Sequence, residues 1–201
     1  MVKAIIFDFG GVLSDEGFRN GLTAIARQNG LDTEAFFQKA KEMIYEAGYV
    51  TGRVDERAYW EKLREETDIK GDDAELREAI LTRFVLRPRM MEEVDRLRSA
   101  GYLVVLLSDQ TNWLDELDEG AGIYRHFDYV FNSFKMGISK RESSLFDLVV
   151  GKAGVRPREV VFIDDNSDNL QVARDQGWQT ILFRDMAAFE RELETLLKAP
   201  V

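Results

Sequence analysis

Three short segments of this sequence place acidic or hydroxyl side chains directly after apolar runs. Asp8 follows the run Ala4–Phe7, Ser108 follows "LVVLL", and Asp164 and Asp165 follow "VVFI". Each segment alone is also typical of an ordinary strand end or helix cap. Because the carboxyl ends of parallel strands open on one edge of a sheet, we expect these side chains to converge there.

Converging carboxylates repel one another unless a hard cation neutralises them. Mg²⁺ prefers oxygen ligands and keeps coordination positions open for a phosphate. Lys140, in "GISKRES", lies just before the helix that leads into the fourth strand, and with Ser108 it would complete a phosphate-binding cradle. Gly10 and Gly11 follow Asp8 and would let a metal ion and a phosphate approach the backbone.

Five apolar runs predict the strands that position these residues. None of them alternates polar with apolar residues, which is typical of strands buried on both faces of a parallel sheet. The runs are Ala4–Phe7, Leu103–Leu107, Tyr129–Phe131, Val160–Ile163 and Thr180–Phe183. Amphipathic helical patterns separate most of them, so we predict an α/β, Rossmann-like doubly wound parallel sheet.

The interval between the first and second strands breaks this alternation. It contains helical patterns and no convincing strand. The patterns cover Phe18–Asn29, Thr33–Ala47, Glu56–Glu66 and Ala74–Leu86. We therefore predict a helical insert over residues 15–86, with the α/β core formed by residues 1–14 and 87–201. Pro88 suits the first turn of the helix that re-enters the core.

Composition narrows the possible functions. The net charge of -10 argues against a general nucleic-acid or acidic-membrane surface. The absence of cysteine excludes disulfides, zinc–thiolate sites and thiol catalysis, and a single histidine, His126, gives a Ser-His-Asp triad little to build on. No apolar run approaches the about 20 residues of a membrane span. We expect a cytoplasmic protein, monomeric or homodimeric, whose partner is a small phosphorylated metabolite.

Four segments resemble the motifs of the haloacid dehalogenase superfamily of phosphohydrolases, over nearly the whole chain. They are "IIFDFGGVL", "VVLLSD", Lys140 and "VVFIDDNSDNLQVARDQGW". "EAGYVTGRVDERAYW" and "LRPRMMEEVDRLRSAGYLVVLLSD" are similar to the branch that holds α-D-glucose-1-phosphatase-like enzymes and the phosphatase domain of soluble epoxide hydrolases. The resemblance implies that the helical insert is a small cap.

The resemblance also implies roles for individual residues. Asp8 would attack phosphorus and form an aspartyl-phosphate. Mg²⁺ would bind the Asp8 carboxylate, the Gly10 carbonyl and Asp165, with Asp164 behind them or on a metal-bound water. The catalytic residues would be Asp8, Gly10, Ser108 and Lys140. The phosphate-binding residues would be Gly11, Ser108, Asp109 and Lys140.

Three positions depart from the family pattern. Gly10 stands where phosphatases of the family usually carry an acid–base aspartate, whose loss typically costs ~10²–10⁴-fold in rate. Asp109 replaces a more usual asparagine, and Arg141 replaces a common proline. Two alternatives therefore stay open: a metal-free 2-haloacid dehalogenase, which would gain nothing from the pair Asp164 and Asp165, and a weakly active or non-catalytic binding protein.

Overall fold

A computed structural model describes residues 1–198 of the chain, and its centre is a five-stranded parallel sheet. The strands are β1 (Ala4–Phe7), β2 (Leu103–Ser108), β3 (Tyr129–Asn132), β4 (Val160–Asp164) and β5 (Gln179–Leu182). Their order is β3-β2-β1-β4-β5, which places β1 at the centre. Ala4 lies level with Leu103 on one side and Val160 on the other, so the carboxyl ends of β1, β2 and β4 lie together.

Helices pack against the sheet and also form the segment between β1 and β2. They are α1 (Gly17–Gln28), α2 (Thr33–Glu46), α3 (Glu56–Glu66), α4 (Asp73–Leu81), α5 (Pro88–Ser99), α6 (Trp113–Ala121), α7 (Ser133–Met136), α8 (Ser143–Ala153), α9 (Ser167–Asp175) and α10 (Met186–Lys198). Alternate residues of β1 enter two separate apolar clusters, with Ile5 and Phe7 in one and Ala4 and Ile6 in the other. The predicted α/β architecture, with strands buried on both faces, is confirmed.

The segment between β1 and β2 is helical, with α1 to α4 before Pro88 begins α5. The predicted helix Ala74–Leu86 was too long, because α4 ends at Leu81. Beyond that point the chain turns, and Leu86 pairs with Ser14 in an antiparallel bridge. Tertiary pairing therefore replaces the last turn of the predicted helix.

The chain enters and leaves this helical segment through two crossings, Leu13–Asp15 and Val85–Arg87, which lie side by side. The Asp15 N–H donates to the Val85 carbonyl at 2.9 Å, and the Arg87 N–H donates to the Leu13 carbonyl at 2.8 Å. The Arg87 guanidinium also donates to the Gly11 carbonyl at 2.5 Å. Both crossings are thus attached to the loop that follows Asp8.

Among the helices of residues 1–198, none has both the length and the apolar character that crossing a membrane requires.

Candidate active site

Three carboxylates meet at the carboxyl edge of the sheet. Asp8 directly follows β1, Asp164 is the last residue of β4, and Asp165 follows it. The Asp8 N–H donates to the Ile163 carbonyl at 2.9 Å, which extends the pairing of β1 and β4 to the site. Each aspartate offers an oxygen within 4.8 Å of the others. The structure therefore brings together the acidic residues that the sequence places after separate strands.

Lys140 is the cation among these carboxylates. Its Nζ lies 2.6 Å from Asp8 Oδ1 and 2.8 Å from Asp164 Oδ2, and the residue is only 1% exposed. Burial opposes the charged form, but the Asp164 and Asp8 carboxylates outweigh burial and raise the pKa of Lys140. Lys140 therefore stays protonated, as a buried lysine must when it balances buried carboxylates.

Asp164 is fully buried, and both of its oxygens are engaged with protein donors. Oδ1 accepts the Asn166 N–H at 2.8 Å. Oδ2 accepts Lys140 Nζ at 2.8 Å and the Asn169 side-chain amide at 3.0 Å. Asp164 therefore orients Lys140 and lies behind the pocket wall.

Asp8 and Asp165 carry more negative charge than Lys140 alone balances. Burial is the main cause that raises the pKa of Asp8, to about 7, and the Asp164 carboxylate adds to it against the opposing effect of Lys140. Burial, a hydrogen bond with Glu16 and the charge of Asp8 raise the pKa of Asp165 to about 9. A group of hard oxygen donors with this excess of charge fits a divalent cation.

The two glycines after Asp8 differ in what they permit. Gly11 has a φ of +81°, and a Cβ there would lie 2.0 Å from Asp165 Oδ2. Only glycine therefore lets Asp165 occupy its place. A Cβ on Gly10 would meet nothing closer than the Phe84 ring, at 3.6 Å. The fold therefore leaves room for a β-carbon at position 10.

A pocket of about 380 Å³ opens above these residues, between the sheet edge and the helices α1 and α2. Its floor includes Asp8, Gly10, Ser108, Asp109, Lys140 and Asp165. Its other walls include Glu16, Phe18, Arg19, Phe37, Gln38, Lys41, Tyr45 and Phe84. Gly11 and Asp164, also predicted as site residues, lie behind this surface and hold neighbouring groups in position.

Asp109 lies at the pocket, but its carboxylate binds protein donors. Oδ1 accepts the Ser133 hydroxyl at 2.5 Å and the Lys140 N–H at 2.9 Å. Oδ2 accepts the Tyr45 hydroxyl at 2.9 Å. The side chain predicted to contact phosphate is therefore directed at the chain itself.

Sequence reasoning missed several residues of the site, among them Glu16, Tyr45 and Asn169. Asn169 had a local signal, because it falls one helical turn after Asn166 at the start of α9. Tyr45 lies on α2, and Glu16 lies in the turn that leads into α1. No local pattern marks them.

A parallel α/β sheet with carboxylates at its carboxyl edge, beneath an inserted helical segment, defines a class of hydrolases. The model of the haloacid dehalogenase-like hydrolase family matches residues 2–177. The chain belongs to this family.

Two curated relatives show the range of the similarity. The chain is 35% identical over 124 residues to bifunctional epoxide hydrolase 2 of Rattus norvegicus, an alignment that covers 58% of this chain and 22% of that protein. The chain thus spans about a fifth of that relative's length. It is 24% identical over 207 residues to D-ribitol-5-phosphate phosphatase of Bacteroides thetaiotaomicron, covering 99% of this chain and 100% of that protein.

Solved structures agree on the fold. A haloacid dehalogenase family enzyme from Bacteroides thetaiotaomicron superimposes with a TM-score of 0.75 at 25% identity, covering 94% of this chain and 98% of that one. The same enzyme in complex with magnesium and inorganic phosphate gives a TM-score of 0.72 at 23% identity, covering 94% and 99%. A predicted hydrolase of this family from Porphyromonas gingivalis superimposes with a TM-score of 0.76 at 23% identity, and the superposition covers 100% of both chains.

Proposed function

We propose that this protein is a Mg²⁺-dependent phosphatase that acts on a small phosphorylated metabolite, such as a sugar phosphate, through an aspartyl-phosphate on Asp8. The observation that carries the proposal is the cluster of Asp8, Asp164 and Asp165 around Lys140 at the floor of a pocket. The phosphatase relative and the magnesium and phosphate complex of a structural neighbour support it.

The residues present fit a magnesium ion. All the donors are oxygens, and Gly11 leaves the space that the Asp165 carboxylate needs. Asp8, the Gly10 carbonyl and Asp165 would hold the ion, while Asp164, whose oxygens already accept protein donors, would stay behind them. When bound, Mg²⁺ would polarise the phosphoryl group and neutralise part of its charge.

The chemistry falls to residues of this chain. An Asp8 oxygen would form a bond to phosphorus while the ester oxygen leaves as the alcohol, and water would then hydrolyse the acyl phosphate and restore the carboxylate. Lys140, held against Asp8 at 2.6 Å, would orient the nucleophile and bind a phosphoryl oxygen with the Ser108 hydroxyl. With Gly10 in place of an acid, the proton for the leaving oxygen must come from water or from another residue.

The pocket favours a small substrate. Its volume of about 380 Å³ lies near the lower end of the roughly 300–1,000 Å³ range of ligand pockets. Polar side chains of α1 and α2, among them Gln38 and Lys41, line it opposite the carboxylates and would contact the part of the substrate beyond the phosphate. We accordingly propose residues 15–86 as a cap on a core of residues 1–14 and 87–201. The side-by-side pairing of Leu13–Asp15 with Val85–Arg87 supports this division.

A substrate panel tests the proposal. Purified protein is assayed with para-nitrophenyl phosphate, ribitol 5-phosphate, glucose 1-phosphate, glucose 6-phosphate and 2-chloropropionate, each with Mg²⁺ and with EDTA. We expect Mg²⁺-dependent release of phosphate and no release of chloride. Metal-independent release of chloride would instead show a dehalogenase. Binding of phosphate esters without turnover would show a binding protein.

A further inference from the structure

Two of the departures from the family pattern contact the same helix. Asp109 accepts the hydroxyl of Tyr45 at 2.9 Å. The Arg141 guanidinium lies 3.6 Å from the centre of the Tyr45 ring and makes a two-pronged ion pair with Glu42, at 3.1 and 3.2 Å. Glu42 and Tyr45 both lie on α2, which belongs to the proposed cap.

These contacts flank Lys140 on both sides. The Lys140 N–H donates to Asp109 Oδ1 at 2.9 Å, and the next residue, Arg141, stacks on Tyr45. The ammonium of Lys140 is at the same time held between Asp8 and Asp164. The position of α2 is therefore connected to the backbone of Lys140 by a direct chain of polar contacts.

The contact of Tyr45 with Asp109 is the stronger of the two links. The Arg141–Glu42 pair is largely exposed, with side chains 44% and 52% accessible, and exposed ion pairs contribute little. Tyr45 is partly buried and donates to a charged oxygen, a stronger class of hydrogen bond. Burial and the Asp109 carboxylate both raise the pKa of Tyr45, so its hydroxyl remains a donor at every working pH.

We propose that Tyr45 is a positioning residue: through the Asp109 carboxylate it ties cap helix α2 to the backbone of Lys140, so that the seating of the cap sets the position of this lysine. The proposal rests on the proposed function for the role of Lys140. The link itself is a property of the protein without substrate and can be measured separately.

The first test reads the link without turnover. Amide hydrogen exchange of Lys140 is measured by NMR in wild type, Tyr45→Phe and Tyr124→Phe. Tyr124 is the matched control, because its hydroxyl also donates to a carboxylate, that of Asp115 at 2.7 Å, away from the pocket. We expect exchange at Lys140 to be about fivefold to tenfold faster in Tyr45→Phe and unchanged in Tyr124→Phe. Equal exchange rates in all three proteins would overturn the proposal.

The second test uses kinetics with para-nitrophenyl phosphate on Tyr45→Phe, Asp109→Asn and the double variant. We expect Tyr45→Phe to lower kcat about tenfold with little change in KM, because it misplaces Lys140 without removing a pocket wall. In the double variant we expect no more than about a threefold loss beyond Asp109→Asn alone. A change confined to KM, or losses that multiply, would overturn the proposal. If wild type hydrolyses no phosphate ester, the proposed function fails, and the exchange experiment still decides whether the link exists.

Discussion

Replacing Gly11 by alanine should separate backbone strain from damage to the carboxylate site. Gly11 has a φ of +81°, and a Cβ would lie 2.0 Å from Asp165 Oδ2, where ordinary contact begins at 3.4 Å. The carboxylate oxygen would have to move by the difference, about 1.4 Å. A misplacement of about 1 Å in a catalytic constellation can cost about 100-fold in rate.

Gly154→Ala is the matched control for this substitution. Gly154 has a φ of +66°, directly follows α8, and has no atom within 4 Å of the added Cβ. Both variants force alanine into the left-handed region, at a cost of about 1–2 kcal/mol. For a chain of this size that predicts a fall in Tm of about 2–8 °C in each.

Only Gly11→Ala should also damage function. We expect its kcat/KM for para-nitrophenyl phosphate to fall about 100-fold and its Mg²⁺ affinity, measured by calorimetry, to fall at least about tenfold. Thermal denaturation without metal gives the strain that the two variants share. If Gly11→Ala matches Gly154→Ala within about twofold in Mg²⁺ affinity and kcat/KM, Asp165 does not need its present position and the metal site is wrongly placed.

Three further predictions concern charge and the leaving group. Asp8→Asn should abolish phosphatase activity with little change in Tm or circular dichroism, and near-wild-type hydrolysis would show that Asp8 is not the nucleophile. The raised pKa values of Asp8 (about 7) and Asp165 (about 9) mean that the folded chain holds these protons more tightly than the unfolded chain, whose value is 3.8. These two groups therefore stabilise the metal-free protein most below about pH 4, and their contribution to the free energy of unfolding should fall as the pH rises through 7 towards 9. Mg²⁺ should accordingly raise Tm more at pH 8.5 than at pH 5.5. A Mg²⁺ effect on Tm that is independent of pH would contradict this prediction. Because position 10 carries no acid, substrates whose leaving group has a low pKa should react best, so kcat/KM should be higher for glucose 1-phosphate than for glucose 6-phosphate. Gly10→Asp should reduce this difference in kcat/KM. Equal wild-type values of kcat/KM for the two substrates would refute the leaving-group argument.

The fold was predictable because its strands carry the signal locally. An apolar run without alternation indicates a strand covered on both faces, and β1 and β4 are such strands. The prediction of a helix over Ala74–Leu86 was wrong at its end. The apolar residues keep helical spacing beyond Leu81, but tertiary contacts hold that part of the chain in a non-helical conformation. Phe84 keeps the helical spacing from Ile80, yet it packs against Phe9, with ring centres 5.5 Å apart, while the backbone around it pairs with the first crossing.

The meeting of Asp8, Asp164 and Asp165 at one edge of the sheet was predictable by the same local logic, but the different surroundings of each aspartate were not. Asp164 and Asp165 are adjacent in sequence and differ entirely in surroundings. Asp164 accepts three protein donors, whereas Asp165 lines the pocket beside Glu16. Strand geometry explains the difference, because successive side chains point to opposite sides where a strand ends. Which of the two meets Lys140 depends on a loop 24 residues away along the chain.

Asp109 and Arg141 show most clearly where sequence reasoning ends. Taken singly, each is the loss of a usual residue, and a negative charge at Asp109 would repel a phosphate. In the structure that charge is met by Tyr45, 64 residues away, and Arg141 reaches Glu42, 99 residues away, on the same helix. A carboxylate with three donors presents much less free charge to the pocket than the sequence suggests. The two departures are therefore best understood together, as one connection between the helical segment and the loop that carries Lys140.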